Sequence, residues 1–274
     1  MSEDAASTEA ESGDLTAAEQ RRAVRERYAR IATESSGCCG ESTGCDEADA
    51  DDRAKRLGYA EDDLASVADG ANLGLGCGNP NALASLREGE TVLDLGSGGG
   101  FDCFLAAREV GDSGRVIGVD MTPEMVERAR ENAEKNDARN VEFRLGEIEH
   151  LPVADGSVDV VISNCVVNLS PSKPQVFRDA YRVLRPGGRL AISDVVVTAS
   201  LPEDVRSDPE SVAACVAGAS TIDALEEMLA TAGFERVRIS PKGESRSFIR
   251  EWDDDRDLGD YLVSASIEGR KPAH

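Results

Sequence analysis

The middle of this chain alternates short apolar runs with amphipathic segments, and this alternation constrains its fold more than any other feature. Each apolar run ends in glycine or in polar residues, which is typical of a buried strand, and about a dozen residues with helical spacing follow it. The predicted strands cover residues 91–96, 115–120, 141–146, 158–164 and 189–197. Because strands that alternate with helices form parallel βαβ units, we expect an α/β fold with a doubly wound, mostly parallel sheet.

The sequence on either side of this core predicts that the chain has four parts. They are an acidic disordered tail (1–14), an N-terminal helix with cysteine-bearing loops (15–80), a Rossmann-like core (81–200), and an insertion, last helix and C-terminal strands that complete the substrate site (201–274). Thr16 and Glu19 have the spacing of a capping box at the start of the first helix. Residues 35–55 are rich in polar residues and acids, which favours a loop. The last two strands, at 234–240 and 261–269, are expected to pair antiparallel.

Glycine and proline mark further breaks between the predicted elements. Residues 70–80 are rich in glycine and end in Asn79-Pro80, which predicts a loop. The sequence Pro186-Gly187-Gly188 predicts a turn between the preceding helix and the fifth strand. These breaks separate the elements of the core from their neighbours.

The formal net charge of −23 limits the partners that this protein can have. Such a charge repels the phosphates of nucleic acids and an anionic membrane surface, so we expect neither as a partner. No apolar run approaches the roughly 20 residues of a membrane span, and the polar N-terminus does not resemble a secretory signal, so we expect a cytoplasmic protein. Only 5 of the 30 basic residues are Lys. An acidic, lysine-poor surface favours a halophilic protein, with an acidic protein from a GC-rich genome as the alternative.

The first predicted strand ends in a glycine loop, Gly96-Ser97-Gly98-Gly99-Gly100, which a helix follows. Glycines in this position permit positive φ angles and a close approach of the backbone to a nucleotide-like ligand. The dinucleotide fingerprint G-x-G-x-x-G would require a third glycine at position 101, which is Phe101. The loop therefore departs from the pattern that binds NAD.

Two acidic residues beside the loop indicate the charge of the ligand. Asp94 lies just before the first glycine, where a carboxylate would repel a pyrophosphate but would suit a cationic sulfonium and ammonium. Asp120, at the tip of the second strand, can accept hydrogen bonds from both ribose hydroxyls. Each acid also has a simpler explanation, as a solvated strand end and as a helix cap, respectively. Together with Phe101 they favour S-adenosylmethionine (SAM) over a dinucleotide.

Seven cysteines are distributed over the chain, at positions 38, 39, 45, 77, 103, 165 and 215. In a reducing cytoplasm they are not expected to form a static disulfide framework, which leaves binding of a metal or metalloid, redox chemistry or burial. Cys103 lies among apolar residues of a predicted helix, so it is expected to be a small buried residue. Cys165 follows the fourth strand at the ligand-binding end of the sheet, which favours a functional role. Cys77 lies in a glycine-rich loop, and the neighbours of Cys215 could also form a packed helix.

Seven segments between residues 73 and 219 carry the most specific patterns of the chain, within a likeness that runs from about Tyr28 to the C-terminus. They are LGLGCGNP, ETVLDLGSGGGFDCFLA, VIGVDMTPEMVERARENA, RLGEIEHLPV, VVISNCVVNLSP, VLRPGGRLAISDVV and CVAGA. Together they resemble the arsenite methyltransferase family. The glycine loop and the strands are shared with other class I methyltransferases, including quinone C-methyltransferases. The features that separate this family are three cysteines, which are Cys77, Cys165 and Cys215 here.

The resemblance implies a Rossmann-like class I methyltransferase that methylates trivalent arsenic, with SAM as the methyl donor and no bound metal cofactor. The implied SAM-binding residues are Asp94, Gly96, Ser97, Gly98, Asp120, Met121, Glu147, Ile148 and Asn164. Among these, Glu147 would meet the adenine amino group and Ile148 the adenine ring. Cys77, Cys165 and Cys215 are the implied arsenic ligands, which fits the preference of soft centres for thiolates. Arsenite or its thiol conjugates would be the substrate.

The resemblance also implies an N-terminal catalytic cysteine that forms a disulfide with the second site cysteine after turnover and returns two electrons to arsenic. Cys39 is the residue that we assign to this role, with Cys38 and Cys45 as alternatives. A thiol reductant, either thioredoxin or a small thiol, would then restore the dithiol. The spacing of these three cysteines could instead hold zinc, although it lacks C-x2-C pairs and a nearby histidine.

Two other functions remain open at this point. A C- or O-methyltransferase for a small organic acceptor would need a base near the methyl group, and His150, on a predicted loop, is a poor candidate. A thiol-rich arsenic-binding protein without catalysis would not need the glycine loop. Tyr28 could close over the SAM site or only pack the first helix, and Trp252 is expected to anchor the C-terminal segment.

Overall fold

The computed structural model describes residues 16–34, 47–202, 205, 215–252 and 256–274. Within these residues, eight strands form one sheet: β1 (Thr91–Leu95), β2 (Arg115–Asp120), β3 (Val141–Leu145), β4 (Val158–Asn164), β5 (Leu184–Val197), β6 (Ser220–Thr221), β7 (Glu235–Lys242) and β8 (Leu262–Arg270). Their order is β3-β2-β1-β4-β5-β8-β7, and the short β6 pairs with β5. The α/β fold with a mostly parallel sheet, predicted from the sequence, is confirmed.

The first five strands run parallel, as the alternation of strands and helices predicts. The strand order reverses between β1 and β4, because β2 and β3 lie on one side of β1 while β4 and β5 lie on the other. Connections leave in opposite directions at such a reversal, which leaves a crevice at the carboxyl ends of the two strands. Leu95 pairs with Ser163 at this point. The glycine loop after β1 and the residues after β4 therefore flank the same crevice.

The C-terminal strands close the other side of the sheet. β8 runs antiparallel to both β5 and β7, which confirms the predicted antiparallel pair. The predicted turn at residues 186–188 is wrong, because β5 begins at Leu184 and includes these residues. The Gly187 N–H donates to the Lys271 carbonyl at 3.0 Å, and the Lys271 N–H donates to the Gly188 carbonyl at 2.9 Å. These partners come from the end of the chain, so the local sequence does not reveal them.

The helices whose bounds the structure describes are α1 (Ala17–Glu34), α2 (Glu47–Arg56), α3 (Glu61–Ala65), α4 (Pro80–Ala84), α5 (Phe101–Val110), α6 (Pro123–Lys135), α7 (Lys173–Val183), α8 (Ile222–Ala232) and α9 (Arg246–Ile249). The capping box at the start of α1 is confirmed, since the Thr16 N–H donates to Glu19 at 2.9 Å and the Glu19 N–H donates to Thr16 Oγ1 at 3.3 Å. The glycine-rich loop before α4 ends at Asn79, whose side chain accepts a hydrogen bond from the Ala82 N–H at 3.0 Å. The asparagine thus caps this short helix.

One predicted loop is partly helical. The composition of residues 35–55 favours a loop, but the second half of this segment belongs to α2. Ala54 on this helix is buried in a cluster with Tyr59 and Leu105. Tertiary packing therefore stabilises a helix that the acidic composition by itself disfavours. The predicted acidic tail and three of the cysteines lie outside the described residues: Cys38, Cys39 and Cys45.

The N-terminal helices and the C-terminal segment both contact the carboxyl-end side of the sheet. Gln20 of α1 donates to the Leu169 carbonyl, which follows β4, at 3.0 Å. Arg56 of α2 pairs with Glu251, just after α9, at 2.7 Å. These contacts enclose the crevice between β1 and β4. In the described part of the chain, no helix is both long enough and apolar enough to cross a membrane.

Candidate active site

A cavity of about 580 Å³ lies at the carboxyl ends of β1, β2 and β4. Side chains of α1 and α2 and of the residues after α9 contribute to its wall, opposite the glycine loop. A cavity of this size accommodates a cofactor-sized ligand. The residues of the predicted site that line it are Asp94, Gly96, Ser97, Gly98, Asp120, Met121, Ile148, Asn164, Cys165 and Cys215.

The glycine loop borders the cavity in backbone conformations that other residues rarely adopt. Gly96 and Gly98 have φ angles of +69° and +49°. A side chain at Gly96 would also collide with Val166, because its Cβ would lie 2.5 Å from that side chain. Around Gly98 there is open space, with no atom within 4 Å of such a Cβ. The backbone at Gly98 is therefore accessible to a ligand at close range.

Ser97 brings an unpaired polar group to the cavity. Its side chain is buried, and its Oγ has no hydrogen-bond partner among the described residues. A buried hydroxyl without a partner is costly unless a ligand or water supplies one. Together with the open backbone at Gly98, this hydroxyl fits a polar cofactor bound over the loop.

Asp120 holds the glycine loop and faces the cavity. Its carboxylate accepts hydrogen bonds from the Gly98 N–H at 3.0 Å and from the Thr122 N–H at 2.9 Å. Burial raises the pKa of this carboxyl above its usual value, and the backbone donors oppose that effect. A carboxylate has more acceptor positions than these two bonds use, so it can also accept from ligand hydroxyls.

Asp94 makes a contact that the sequence did not predict. Burial, and then the neighbouring Asp102, raise the pKa of Asp94 well above its usual value, while a hydrogen bond from Cys103 opposes the shift. The Cys103 thiol donates to Asp94 Oδ2 at 3.3 Å. Cys103 is fully buried, as predicted, but its thiol also orients an acid of the cavity wall. A cationic ligand at this wall would favour the charged carboxylate.

Beside Ile148, the acid that lines the cavity differs from the acid that the resemblance implies. Ile148 lines the cavity, but Glu147 does not; its carboxylate pairs with Arg21 of α1 at 3.3 Å and with Arg25 at 3.9 Å. Glu149 lines the cavity instead and is buried. The sequence E-I-E offers an acid on either side of the isoleucine; Arg21 of α1 pairs with both, and Glu149 is the one that faces inwards.

Asn164, at the end of β4, lies on the cavity wall and also holds the loop before α4. Its Oδ1 accepts a hydrogen bond from the Cys77 N–H at 3.1 Å. Its Nδ2 donates to the Gly78 carbonyl at 2.8 Å and to the Tyr59 hydroxyl at 3.0 Å. Cys77 itself does not line the cavity. The amide thus connects the cavity to the cysteine loop.

Cys77 and Cys165 are joined by a disulfide, with their Cα atoms 5.9 Å apart. The sequence predicts two free thiols here, and the structure differs because the glycine-rich loop brings Cys77 directly beside the end of β4 at a distance typical of disulfides. The buried carboxylate of Asp194 completes a compact group with the two sulfurs, all within 4.8 Å of one another. Burial raises the pKa of Asp194 to about 6, against hydrogen bonds from the backbone of Val195 and of Asn168.

Cys215 lies beside this pair but outside the compact group. Its thiol donates to the Cys165 carbonyl at 2.7 Å, and the Tyr28 hydroxyl forms a hydrogen bond with it. Burial raises the pKa of the Cys215 thiol well above its usual value, whereas the Tyr28 hydrogen bond lowers it. Cys165 and Cys215 both adopt positive φ angles, +56° and +66°. Such strain in residues with a side chain is concentrated at functional sites.

The remaining candidates separate into residues on the cavity and residues away from it. Tyr28 and Trp252 both line the cavity. Trp252 is 37% exposed and packs against Phe248 of the same segment, with the ring centroids 5.9 Å apart, so its anchoring of the C-terminal segment stays a prediction. His150 is exposed and does not line the cavity. Among the described residues, no histidine is placed to act as a base there.

Comparisons with known proteins show which proteins this chain is similar to. A family model described as a methyltransferase domain matches residues 86–233. An arsenite methyltransferase from Halobacterium salinarum is 67% identical over 264 residues, covering 93% of this chain and 67% of the relative. One from Aquipseudomonas alcaligenes is 44% identical over 171 residues, covering 60% of this chain and 49% of the relative. The crystal structure of an arsenic(III) S-adenosylmethionine methyltransferase from Chlamydomonas reinhardtii has a TM-score of 0.59 at 35% identity, covering 80% of this chain and 73% of that chain.

The doubly wound sheet, the glycine loop at its switch point and a matching domain over more than half of the chain define a class I methyltransferase, and SAM is its cofactor. Within this class, the chain belongs to the arsenite methyltransferase family. It spans about two thirds of the length of the Halobacterium relative and about half of the Aquipseudomonas relative.

Proposed function

We propose that this protein transfers a methyl group from SAM to trivalent arsenic, as part of arsenic detoxification. The observation that carries the proposal is the meeting of Cys77, Cys165 and Cys215 beside the cofactor cavity, from loops far apart in the chain. Trivalent arsenic is a soft centre that prefers thiolates to oxygen ligands. Three converging cysteines next to a methyl-donor site have no evident use in methylation of a small organic acceptor.

In this proposal, SAM binds at the glycine loop and the residues beside it. SAM, when bound, supplies an electrophilic methyl group on a cationic sulfonium. The residues that would hold it are Asp94, Gly96, Ser97, Gly98, Asp120, Met121, Ile148 and Asn164. For the adenine amino group we keep Glu147 as the predicted contact, with Glu149 as the acid that already faces the cavity. Exchange of each for Gln, with SAM affinity as the measurement, distinguishes them.

The cysteines would bind arsenic by exchange of ligands. Each thiol that binds replaces one hydroxyl of arsenite, its proton leaves with that hydroxyl as water, and no electrons are transferred. With SAM bound, the arsenic lone pair would take the methyl group as the bond from that methyl to the sulfonium breaks and S-adenosylhomocysteine leaves, so the protein needs no general base. The transfer formally oxidises arsenic by two electrons, which two cysteine thiols would return as they form a disulfide. What the protein contributes is position and exclusion of water. The Tyr28 hydrogen bond, which lowers the pKa of Cys215, assists formation of the thiolate.

The proposal requires reduced thiols. While Cys77 and Cys165 are bonded to each other they cannot both bind arsenic. A thiol reductant, thioredoxin or a small thiol, would cleave this disulfide by thiol exchange and become oxidised itself. Cys39 is our proposal for the N-terminal cysteine that exchanges with the site after turnover. Because this chemistry depends on a reducing compartment, we propose the cytoplasm as its location.

The composition supports a further proposal, that the protein works at high salt. Its net charge is −23, and one relative comes from Halobacterium salinarum. Salt screens the repulsion between surface carboxylates and so stabilises a chain of this charge. Activity measured against KCl concentration tests the proposal, and full activity without added salt would contradict it.

Turnover of labelled SAM tests the main proposal. The reduced protein is supplied with arsenite or methylarsenite, and arsenic species are separated after the reaction. We expect one S-adenosylhomocysteine for each methyl group that is transferred to arsenic. Pentavalent arsenate, which has no lone pair, is the matched control and should not be methylated. Methyl transfer to a quinone but not to arsenite would contradict the proposal, and binding of arsenite without any turnover would favour a non-catalytic arsenic-binding protein.

A further inference from the structure

Two side chains hold the loop that carries Cys77: Ser264 Oγ donates to the Cys77 carbonyl at 2.6 Å, and Asn164 contacts both Cys77 and Gly78. Asn164 Oδ1 accepts the Cys77 N–H, and Nδ2 donates to the Gly78 carbonyl. Gly76 packs directly on this amide, since a Cβ at that position would lie 2.8 Å from Nδ2. The position of the Cys77 backbone therefore depends on the direction in which the Asn164 amide faces.

Asp102, on α5, faces the donor end of that amide. Asn164 Nδ2 donates to Asp102 Oδ2 at 3.3 Å, while Tyr59 and Asn81 donate to Asp102 Oδ1 at 2.7 Å and 2.8 Å. An ionised carboxylate only accepts hydrogen bonds, so it can face the NH2 end of an amide but not its oxygen. With its NH2 end turned towards Asp102, Asn164 presents its oxygen to Cys77.

The three hydrogen-bond donors around Asp102 favour its ionised form, against the effect of burial. Burial raises the pKa of Asp102 to about 6, and the donors Tyr59, Asn164 and Asn81 oppose that shift. The carboxylate therefore predominates at neutral pH. Asp102 follows the glycine loop directly, in the first turn of α5, so it also connects the thiol loop to the backbone that borders the cofactor cavity.

We propose that Asp102 is a positioning residue for Cys77: its carboxylate orients the Asn164 amide, and the amide holds the Cys77 loop beside Cys165. Asp102 contacts neither arsenic nor a reacting atom in this role. As a consequence, the Cys77 loop and the wall of the cofactor cavity share one hydrogen-bond network. The proposal rests on the proposed function where arsenite binding is measured, but not where the alkylation of the cysteines is measured.

The test compares Asp102→Asn with Asp112→Asn, which makes the same substitution at an exposed position after α5. An amide at position 102 can face either end of Asn164, so residue 102 no longer helps the Cys77 N–H and the Gly78 carbonyl to fix the orientation of Asn164. In the reduced protein, we expect Asp102→Asn to weaken arsenite binding about tenfold and to weaken SAM binding by a smaller factor, because Asn164 also lines the cofactor cavity. Asp112→Asn should change neither constant.

A double-mutant cycle with Asn164→Ala separates positioning from general destabilisation. If Asp102 acts through Asn164, Asp102→Asn causes no further loss of arsenite affinity in the Asn164→Ala background. Fully additive losses would overturn the proposal. A loss of SAM affinity as large as the loss of arsenite affinity would also overturn it and would make Asp102 a cofactor contact.

The second readout does not depend on arsenic. Release of the loop should raise the rate at which iodoacetamide alkylates Cys77 relative to Cys215 in the reduced protein, and an unchanged ratio would refute the positioning role. A wild-type protein that binds no arsenite would refute the proposed function but would leave this comparison intact. If Asp102→Asn does not fold, Tyr59→Phe serves as the second variant. It removes one donor to Asp102 and one acceptor of Asn164. We expect it to weaken arsenite binding about threefold and to raise the alkylation of Cys77 relative to Cys215.

Discussion

The two halves of the cavity are assembled in different ways. Most of the cofactor half comes from one continuous stretch, in which Asp94, the glycine loop, α5 and Asp120 follow one another, and Ile148 and Asn164 join it from later in the chain. The thiol half joins Cys77 to Cys165 across 88 residues and Cys165 to Cys215 across 50 residues. A local sequence pattern is therefore sufficient to predict the first half, whereas the second exists only when the sheet has brought distant loops together.

The two halves also differ in how their backbone tolerates an unusual conformation. In the cofactor half, positive φ angles fall on Gly96 and Gly98, where they cost little. In the thiol half they fall on Cys165 and Cys215, where each costs on the order of 1–3 kcal/mol. The surrounding structure must supply that energy. The thiol half is thus the part of the site that depends more strongly on the integrity of the fold.

The largest effect is expected when the thiol half loses a ligand. Replacement of Cys165 or Cys215 by Ser should lower arsenite methylation at least about a hundredfold, because a hydroxyl is a poor ligand for a soft centre. SAM affinity should survive, because the stretch that holds the cofactor is unchanged. Turnover of labelled SAM and calorimetry measure the two quantities. Methylation that persists in both variants would contradict the arrangement of three thiolates.

The opposite pattern, loss of SAM affinity with arsenite binding retained, is expected for Asp120→Asn in the cofactor half. The variant loses charge-assisted acceptance from ligand hydroxyls and from the Gly98 N–H, so SAM affinity should fall roughly tenfold to a hundredfold. Arsenite binding to the reduced protein, measured without SAM, should be unaffected. Asp112→Asn serves as the matched control. Equal losses of both affinities would show that the two halves are not independent in this respect.

Tyr28→Phe tests the contact between α1 and the thiol half. The Tyr28 hydroxyl lowers the pKa of Cys215, so its removal should raise that pKa and displace the activity profile towards higher pH. At neutral pH we expect methylation to fall about fivefold, the effect of one hydrogen bond. Activity measured from pH 6 to 9 checks the direction, and a profile that moves to lower pH would contradict the assignment.

The smallest effect is expected for Glu251→Gln, which breaks the ion pair with Arg56 between α2 and the residues after α9. Both side chains are exposed, so the pair contributes little and salt weakens it further. We expect the KM for SAM to rise less than about twofold at low salt and not at all in concentrated KCl. A large increase that persists in KCl would indicate that this contact controls access to the cavity.

The cofactor half was predicted almost completely from the sequence, and its errors are instructive. Asp94, Gly96, Gly98 and Asp120 lie on one cavity wall, as expected. The contact between Cys103 and Asp94 was missed, although the spacing of a strand end and the first turn of the next helix could have suggested it. The choice between Glu147 and Glu149 could not be made, because both acids pair with Arg21 of α1, a helix far away in the chain, and only the fold buries one of them.

The sequence by itself determined the fold class, the methyl-donor half of the site and the identity of the cysteines beside it. The first two follow from hydrophobic periodicity and from the backbone freedom of glycine, which act over a few neighbouring residues, whereas the cysteines were identified through the resemblance to the arsenite methyltransferase family. Only the tertiary structure decided that Cys77 and Cys165 meet, that Cys215 lies against the Cys165 carbonyl, and that Asp102 reaches Asn164. Each of these contacts joins loops at the end of the sheet, and their geometry depends on strand order and packing rather than on local propensity.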